Sequence, residues 1–455
     1  MPIDDTIAAI STPIGRGGIG IVRVSGPLAK NIAEKAFVSK SGKEPGHFQL
    51  RYGQVMDGGN VLDEALLSFM EGPHSYTAQD MVEFSCHGGF ASVRSILELV
   101  VRLGARLAEP GEFTKRAYLN GRIDLSQAEA VLELIDAKTK HAQLGASGRL
   151  SGSLSRKVKS SRDRILGLQA RIEVSLDFPE YDDEAVSSED ILEACLDVRK
   201  DLGSLIESFD RGRLLDEGLK VAIAGRPNVG KSSLLNALVN EDRAIVADLP
   251  GTTRDVLSEF IHLGGMPLKI MDTAGIRQSR DAVELLGVGK SMQAVRDADL
   301  VLYVVDSSMG ITDDDRRVWE LVKAKPALGA ANKSDLDVKP GFLEACAEIG
   351  IRFISMNAKD GEGLGELKDA IQEMFFTGGI EAGADEVFVN IRQKAGLDKA
   401  LKSVDAAVAG ARANVSPDLI SIDLADAYKS LGLIIGEEAS DDLVDKIFAD
   451  FCVGK

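Results

Sequence analysis

Three things are scarce in this chain, and each scarcity narrows what it does. No apolar stretch is long enough to span a bilayer and no secretory leader is visible, which predicts a cytosolic protein with no membrane partner. Cysteine is sparse: Cys86, Cys195, Cys346 and Cys452 are scattered through 455 residues without metal-ligand spacing. That pattern argues for free thiols in a reducing compartment. Positive charge is outnumbered, with 53 Lys and Arg against 71 Asp and Glu and a net charge of −18. A surface of that sign gives no general attraction to nucleic acid, so RNA contact would need a local basic patch. The run 156–164 is the best candidate, and one solvated helix face is the plainer reading of it.

What is present begins with a phosphate loop. Gly225-Arg226-Pro227-Asn228-Val229-Gly230-Lys231-Ser232 fits G-x-x-x-x-G-K-S and follows the apolar run 219–224. Glycines there let backbone N–H groups close around phosphates, Lys231 reaches the β/γ oxygens, and Ser232 can hold Mg²⁺. Asp272-Thr273-Ala274-Gly275 follows a strand-like segment, where a metal-side carboxylate belongs. Asn332-Lys333-Ser334-Asp335 comes later, with Asp335 placed to accept from the N1–H and amino group of guanine. Adenine lacks the 2-amino group and would leave that carboxylate unpaired, so the three motifs in this order specify a guanine-nucleotide site.

The length supports two to four domains. Residues 1–118 read as β-rich with a helix over 91–101, an α+β domain. Gly15-Arg16-Gly17-Gly18-Ile19-Gly20 matches G-x-G-x-x-G literally, yet Ile21-Val22-Arg23-Val24 follows as a strand pattern and no helix opens. A glycine-rich hairpin or strand connection fits better than a dinucleotide fingerprint. From 119 the pattern is helical: Asp124 and Gln127 have capping-box spacing, and Leu125, Ala128, Val131, Leu132 and Ile135 trace one face. Ile165, Leu168, Ile172 and Leu176 continue it, and Leu443, Ile447 and Phe451 form a stripe near the far end. Between lies an α/β nucleotide domain at 218–378, with a clear strand at 300–306 and a weak one at 327–331 placed by its motif. The simplest arrangement is a G domain inserted into a discontinuous helical domain, 119–217 and 379–455.

The switch segments carry a second absence. Gly251-Thr252-Thr253-Arg254-Asp255 stands where the Mg²⁺- and γ-phosphate-sensing threonine belongs. A common GTPase arrangement puts a water-orienting Gln directly after the glycine of D-x-x-G, and here that residue is Ile276. Asp281 and Glu284 are candidates to orient water instead, and Arg277 to approach the phosphates; an exposed charge at a helix start is the plain alternative for each.

The phosphate loop and Gly-Thr-Thr-Arg-Asp resemble the translation-factor-related GTPases that act on RNA. Adding Gly15–Gly20, Pro110-Gly111-Glu112-Phe113-Thr114-Lys115-Arg116-Ala117 and the terminal Phe451-Cys452-Val453-Gly454-Lys455, the whole chain resembles the MnmE (TrmE) family of tRNA-modification GTPases. The resemblance, and nothing in composition or periodicity, implies tRNA chemistry. It implies a tetrahydrofolate-binding, dimerising N-terminal domain and a homodimer. With the partner MnmG (GidA), such proteins add an aminomethyl-type group to C5 of the wobble uridine of certain tRNAs. The one-carbon donor is a 5,10-methylene or 5-formyl tetrahydrofolate.

The resemblance also implies residue roles. Folate contacts fall on Arg23, Glu83, Arg122 and Lys455, Arg122 standing where lysine is usual. Nucleotide contacts fall on Asn228, Val229, Gly230, Lys231, Ser232 and Ser233, and on Ala247, Asp248, Leu249, Pro250, Gly251, Thr252 and Thr253 of switch I. They continue on Asp272, Thr273, Ala274 and Gly275, then Asn332, Lys333 and Asp335, then Asn357, Ala358 and Lys359, where the family's Ser-Ala-Lys/Arg loop would be. Mg²⁺ would sit on Ser232 and Thr253, and K⁺ on Asn228, Ala247, Leu249 and Thr252. Glu284 would orient the attacking water, and Cys452 would serve modification as covalent catalyst or pocket residue. Two other readings stay open: a ribosome-assembly GTPase, which would want a basic RNA module where 384–455 is acidic, and a scaffold driven by hydrolysis.

Overall fold

A computed structural model of the chain describes residues 5–42, 46–137, 140–177, 186–216, 218–243, 260–263, 266–271, 288–375 and 388–455. These form two compact units: Met1–Asp136 with Ala146–Leu205 and Ile391–Lys455, and Ala137–Gly145 with Ile206–Asn390.

The first unit opens with a seven-stranded sheet. Its strands are β1 (Ile7–Ile10), β2 (Gly17–Ser25), β3 (Phe37–Ser39), β4 (Gln49–Asp57), β5 (Asn60–Met70), β6 (Met81–Gly88) and β7 (Arg106–Leu107), in the order β3-β4-β5-β6-β2-β1-β7. Alternation in β2 sets the two faces: Val22 and Val24 are fully buried while Arg23 between them points to the other side. Helices α1 (Ala29–Ala36) and α2 (Phe90–Arg102) cover the buried face with Ile32, Ala33, Ile96 and Val100. The glycine run is thus the turn and start of β2 in an antiparallel β1–β2 pair, as its β-branched sequel predicts. A Cβ on Gly20 would lie 2.3 Å from Val93 Cγ1, so the close approach of α2 needs glycine there.

Helices follow: α3 (Glu112–Leu119), α4 (Leu125–Asp136), α5 (Lys140–Leu150), α6 (Ser153–Asp177) and α7 (Ser188–Asp216). The Asp124 carboxylate accepts from the Gln127 N–H at 3.0 Å while the Gln127 side chain accepts from the Asp124 N–H, also at 3.0 Å. This is the reciprocal capping box, here with Asp as cap. Leu125 and Ala128 are buried, but Ile135 is exposed, as is Leu176 at the end of α6; the helices run past what they pack on. The basic run on α6 is not one solvated face, because Arg162 is buried, pairs with Glu437 and lies over the Tyr428 ring.

The chain ends with three helices, which we number after those of the second unit: α13 (Ile391–Arg412), α14 (Pro417–Ile435) and α15 (Asp441–Ala449). The buried row of α15 is Val444 and Phe448, joined by Phe451 beyond the helix, and Leu443 and Ile447 lie one position round and only half-buried. That row packs on Ala117, Ile123, Leu125 and Ala128, which brings the last residues of the chain onto the start of α3.

The second unit is a six-stranded sheet of β8 (Leu219–Ala224), β9 (Phe260–Leu263), β10 (Met266–Ile270), β11 (Leu300–Asp306), β12 (Ala327–Asn332) and β13 (Phe353–Ser355). The order is β13-β12-β11-β8-β10-β9, parallel except for β9. Helices α8 (Lys231–Arg243), α9 (Val288–Asp297), α10 (Asp313–Val322) and α11 (Phe342–Ile349) lie between strands, and α12 (Leu364–Phe375) follows β13. Every residue of β12 is buried, so its alanines and glycine serve as a central strand despite poor propensity. A Cβ on Gly329 would sit 2.2 Å from the Phe353 ring, which fills the space glycine leaves.

Candidate functional site

The phosphate loop leaves the C-terminal end of β8 and opens α8, so backbone N–H groups and the positive end of the helix dipole face the same point. A Cβ on Gly225 would lie 2.4 Å from the Val304 carbonyl, and one on Gly230, at φ +102°, would lie 2.0 Å from Asn332 Nδ2. Asn228 is left-handed at φ 64°, a conformation Asn tolerates better than most residues, and it is exposed. Val229 is buried beneath the loop. Lys231 folds back along the loop and donates to the Gly225 and Arg226 carbonyls, each at 2.8 Å. Ser232 and Ser233 lie exposed in the first turn of α8.

Asn332 holds the nucleotide site together. Its Nδ2 donates to the Val229 carbonyl at 2.7 Å, and its Oδ1 accepts from the Ala358 N–H at 3.0 Å. One buried amide therefore ties the phosphate loop to the Asn357-Ala358-Lys359 loop. Asn357 braces that loop, donating to Asp360 at 2.7 Å and accepting from the Lys359 N–H at 3.1 Å. Lys333, at φ 65°, reaches Asp306 Oδ2 at 2.5 Å. Burial pushes the Asp306 carboxyl up, but the Lys333 and Ser308 hydrogen bonds outweigh it and hold the group below its usual range. Asp335 is exposed, free of the inner network and open to a base edge. The structure thus brings 228–233, 332–335 and 357–359 together at one end of the sheet. Ala247, Asp248, Leu249, Pro250, Gly251, Thr252, Thr253, Asp272, Thr273, Ala274, Gly275, Ile276 and Glu284 lie outside the described residues.

A second constellation forms in the first unit, where the chain terminus returns to the sheet. Arg23 on β2 and Glu83 on β6 are register partners, joined by a 2.8 Å ion pair. Arg23 also donates to the Gly454 carbonyl at 3.2 Å, and Ser11 Oγ donates to the same oxygen at 3.1 Å. The Gly111 N–H donates to the Cys452 carbonyl at 3.3 Å and the Phe113 N–H to the Lys455 carbonyl at 3.1 Å, so Cys452, Gly454 and Lys455 are all pinned by their backbone carbonyls. Gly454 is required: at φ +91° a Cβ there would lie 2.4 Å from the Ile10 carbonyl. Arg122 donates to the Tyr76 carbonyl at 3.1 Å and lies over the Tyr76 ring.

Arg23, Glu83 and Arg122, far apart in sequence, are linked through one ion pair and the Tyr76 ring, with the backbone of Cys452 and Lys455 docked on the segment that starts α3 and the Cys452 thiol exposed. Cys86, Cys195 and Cys346 are buried and each is pushed up to about 11 by burial. Tyr76 and Ser11 also belong to this constellation though no motif spacing marks them, and Phe113 of the 110–117 motif lies beside Arg23. Among the described residues no helix is long and apolar enough to cross a membrane.

Comparison with known proteins places the chain in a family. Residues 6–122 match the family described as GTP-binding protein TrmE N-terminus, and residues 125–452 match the MnmE helical domain. The tRNA modification GTPase MnmE of Carboxydothermus hydrogenoformans is 46% identical over 460 residues, covering 100% of both chains. Those of Clostridioides difficile and Bacillus subtilis are 45% and 43% identical, covering 100% and 99% of this chain and 100% of each relative. Among solved structures, the G domain of the T. maritima FeoB iron transporter aligns at 28% identity and a TM-score of 0.25, covering 34% of this chain and 97% of that one. With both family regions matched in order and full-length relatives at this identity, the chain belongs to the MnmE family of tRNA modification GTPases.

Proposed function

We propose that this GTPase works with MnmG to add an aminomethyl-type group to C5 of the wobble uridine of certain tRNAs, drawing on a tetrahydrofolate. The observation that supports this most directly is the return of the chain terminus to Arg23 and Glu83, which gathers charged groups in the N-terminal domain, away from the phosphate-loop motifs. Glu83 offers a carboxylate to the donor-rich edge of a pterin, while Arg122 and Lys455 offer cations to a glutamate tail. A bound tetrahydrofolate, in 5,10-methylene or 5-formyl form, supplies the one-carbon unit. Cys452 lies beside the pocket as an exposed thiol and acts as nucleophile or as part of the pocket wall.

GTP binds with Mg²⁺ on Ser232 and Thr253. Asn228 with Ala247, Leu249 and Thr252 would hold K⁺, which would supply positive charge to offset the negative charge developing on the phosphates. The exposed Asn228 side chain suits that task. With Ile276 in the usual glutamine position, Glu284 orients the attacking water. The protein is a cytoplasmic homodimer formed through domain 1–118, with a G domain at 218–378 inserted between helical segments 119–217 and 379–455. Reconstitution with MnmG, tRNA, GTP and folate tests the whole reading: wobble modification that needs all four supports it, and modification independent of folate overturns it. Calorimetry with 5-formyltetrahydrofolate tests the pocket, since Glu83→Ala binding as tightly as wild type would remove Glu83 from it.

A further inference from the structure

We infer that Tyr76 is the positioning residue of the terminal pocket, setting the places of both Arg23 and Arg122 for an anionic ligand; the ligand's identity rests on the folate reading above. The guanidinium carbon of Arg122 lies 5.0 Å from the Tyr76 ring centroid and that of Arg23 lies 5.6 Å from it. Two like charges share one aromatic ring. They would otherwise separate into water, and the π face offsets that repulsion by attracting each cation.

The half-buried ring packs against the cluster of Ile7, Ala9, Ala108 and Phe113 and is anchored at its hydroxyl. Tyr76 Oη and Thr114 Oγ1 are 2.8 Å apart, and Thr114 is fully buried. The next residue is fixed as well: Asn120 donates to the Thr77 carbonyl at 2.7 Å, and the Thr77 and Ser25 hydroxyls are 2.6 Å apart. Tyr76 is therefore a rigid platform.

The two arginines depend on it unequally. Arg23 also has Glu83, the Gly454 carbonyl and the Phe113 ring. Arg122 is exposed, and the partners of its guanidinium among the described residues are the Tyr76 carbonyl and ring. Losing the ring leaves the Arg122 guanidinium, among the described residues, only its bond to the residue-76 carbonyl and loosens Arg23. Arg23 holds Gly454, so the effect reaches the docked terminus through an atom Tyr76 does not touch.

The test uses the full chain carrying Tyr76→Leu or Tyr76→Phe, with 5-formyltetrahydrofolate as probe and hydrogen exchange at 111–113 and 452–455 as a second readout. Tyr76→Leu should weaken binding about tenfold, and Tyr76→Phe, which keeps the π face, should stay within about threefold of wild type. Exchange of the Gly111 and Phe113 amides, which donate to the docked terminus, should speed up in the Leu variant and not in the Phe variant. Wild-type affinity together with wild-type exchange in Tyr76→Leu overturns the inference. If the wild-type chain itself binds no folate, the folate reading falls and exchange alone decides: faster in Leu than in Phe supports the platform, equal rates overturn it. Tyr76→Met replaces Leu if that variant does not fold, since it fills the space without a π face.

Discussion

Asn332→Ala is the sharpest probe of the nucleotide site. The side chain is buried and makes two bonds to backbone, donating to Val229 at 2.7 Å and accepting from Ala358 at 3.0 Å. Alanine leaves a carbonyl and an N–H without their partner in a buried setting. Each such group costs about 1–3 kcal/mol, so two cost about 2–4 kcal/mol once some water enters the gap. The loss falls on the arrangement that grips nucleotide, because those bonds join the phosphate loop to the base-side loop. The dissociation constant for GDP should therefore rise about 30- to 1,000-fold. Asn332→Asp separates the two bonds: it keeps the acceptor for Ala358 but places a carboxylate oxygen against the Val229 carbonyl. That contact is repulsive and the charge is buried, so Asp should bind nucleotide no better than Ala. Titration of a fluorescent GDP analogue at fixed Mg²⁺ and K⁺, with melting of the nucleotide-free protein as control, gives the answer. Affinity within threefold of wild type in the Ala variant, or tighter binding by Asp than by Ala, refutes the reasoning.

Three more outcomes follow from the same geometry. Buried Cys86, Cys195 and Cys346 are all raised to about 11, whereas Cys452 is exposed, so a thiol reagent at mildly alkaline pH should label one site per native chain, mapped by mass spectrometry to Cys452. Burial pushes the Glu112 carboxyl up, but its bonds to Arg106 and Arg116 hold it below its model-peptide value of 4.5. Its contribution to stability is complete above that value and is lost as pH falls through the lower folded value. Glu112→Gln should thus flatten the fall in melting temperature below about pH 4.5, and an unchanged slope would count against it. Glu284→Ala should bind GTP and dimerise yet hydrolyse poorly in saturating K⁺, and Na⁺ in place of K⁺ should suppress both association and turnover; wild-type turnover in the variant removes Glu284 from catalysis.

The sequence by itself determined the nucleotide site, because its parts are contiguous motifs whose chemistry depends on neighbours in the chain. Gly225 to Ser232 must form a loop before a helix, and Asn332 to Asp335 must end a strand, wherever the rest of the protein lies. Strand and helix periods were legible for the same reason: alternation in 21–24 and the three- and four-residue spacing from Leu125 are local properties of the backbone. Which row of a helix is buried was not local. Leu443 and Ile447 made as good a stripe as Val444 and Phe448, and only the surface formed by Ala117, Leu125 and Ala128 chose between them. Likewise β12 is a strand because its neighbours on both sides bury it, against its own propensities. The basic run 156–164 looked solvated until Arg162 met Glu437 and Tyr428, residues more than 260 positions away. The terminal pocket belongs wholly to the tertiary structure. Arg23 and Gly454 meet across 431 positions, and Tyr76 gains its two arginines only because β2, the β5–β6 loop and the segment after α3 converge. No spacing in the chain encodes that meeting; the packing of Phe448 and Phe451 beside α3 does.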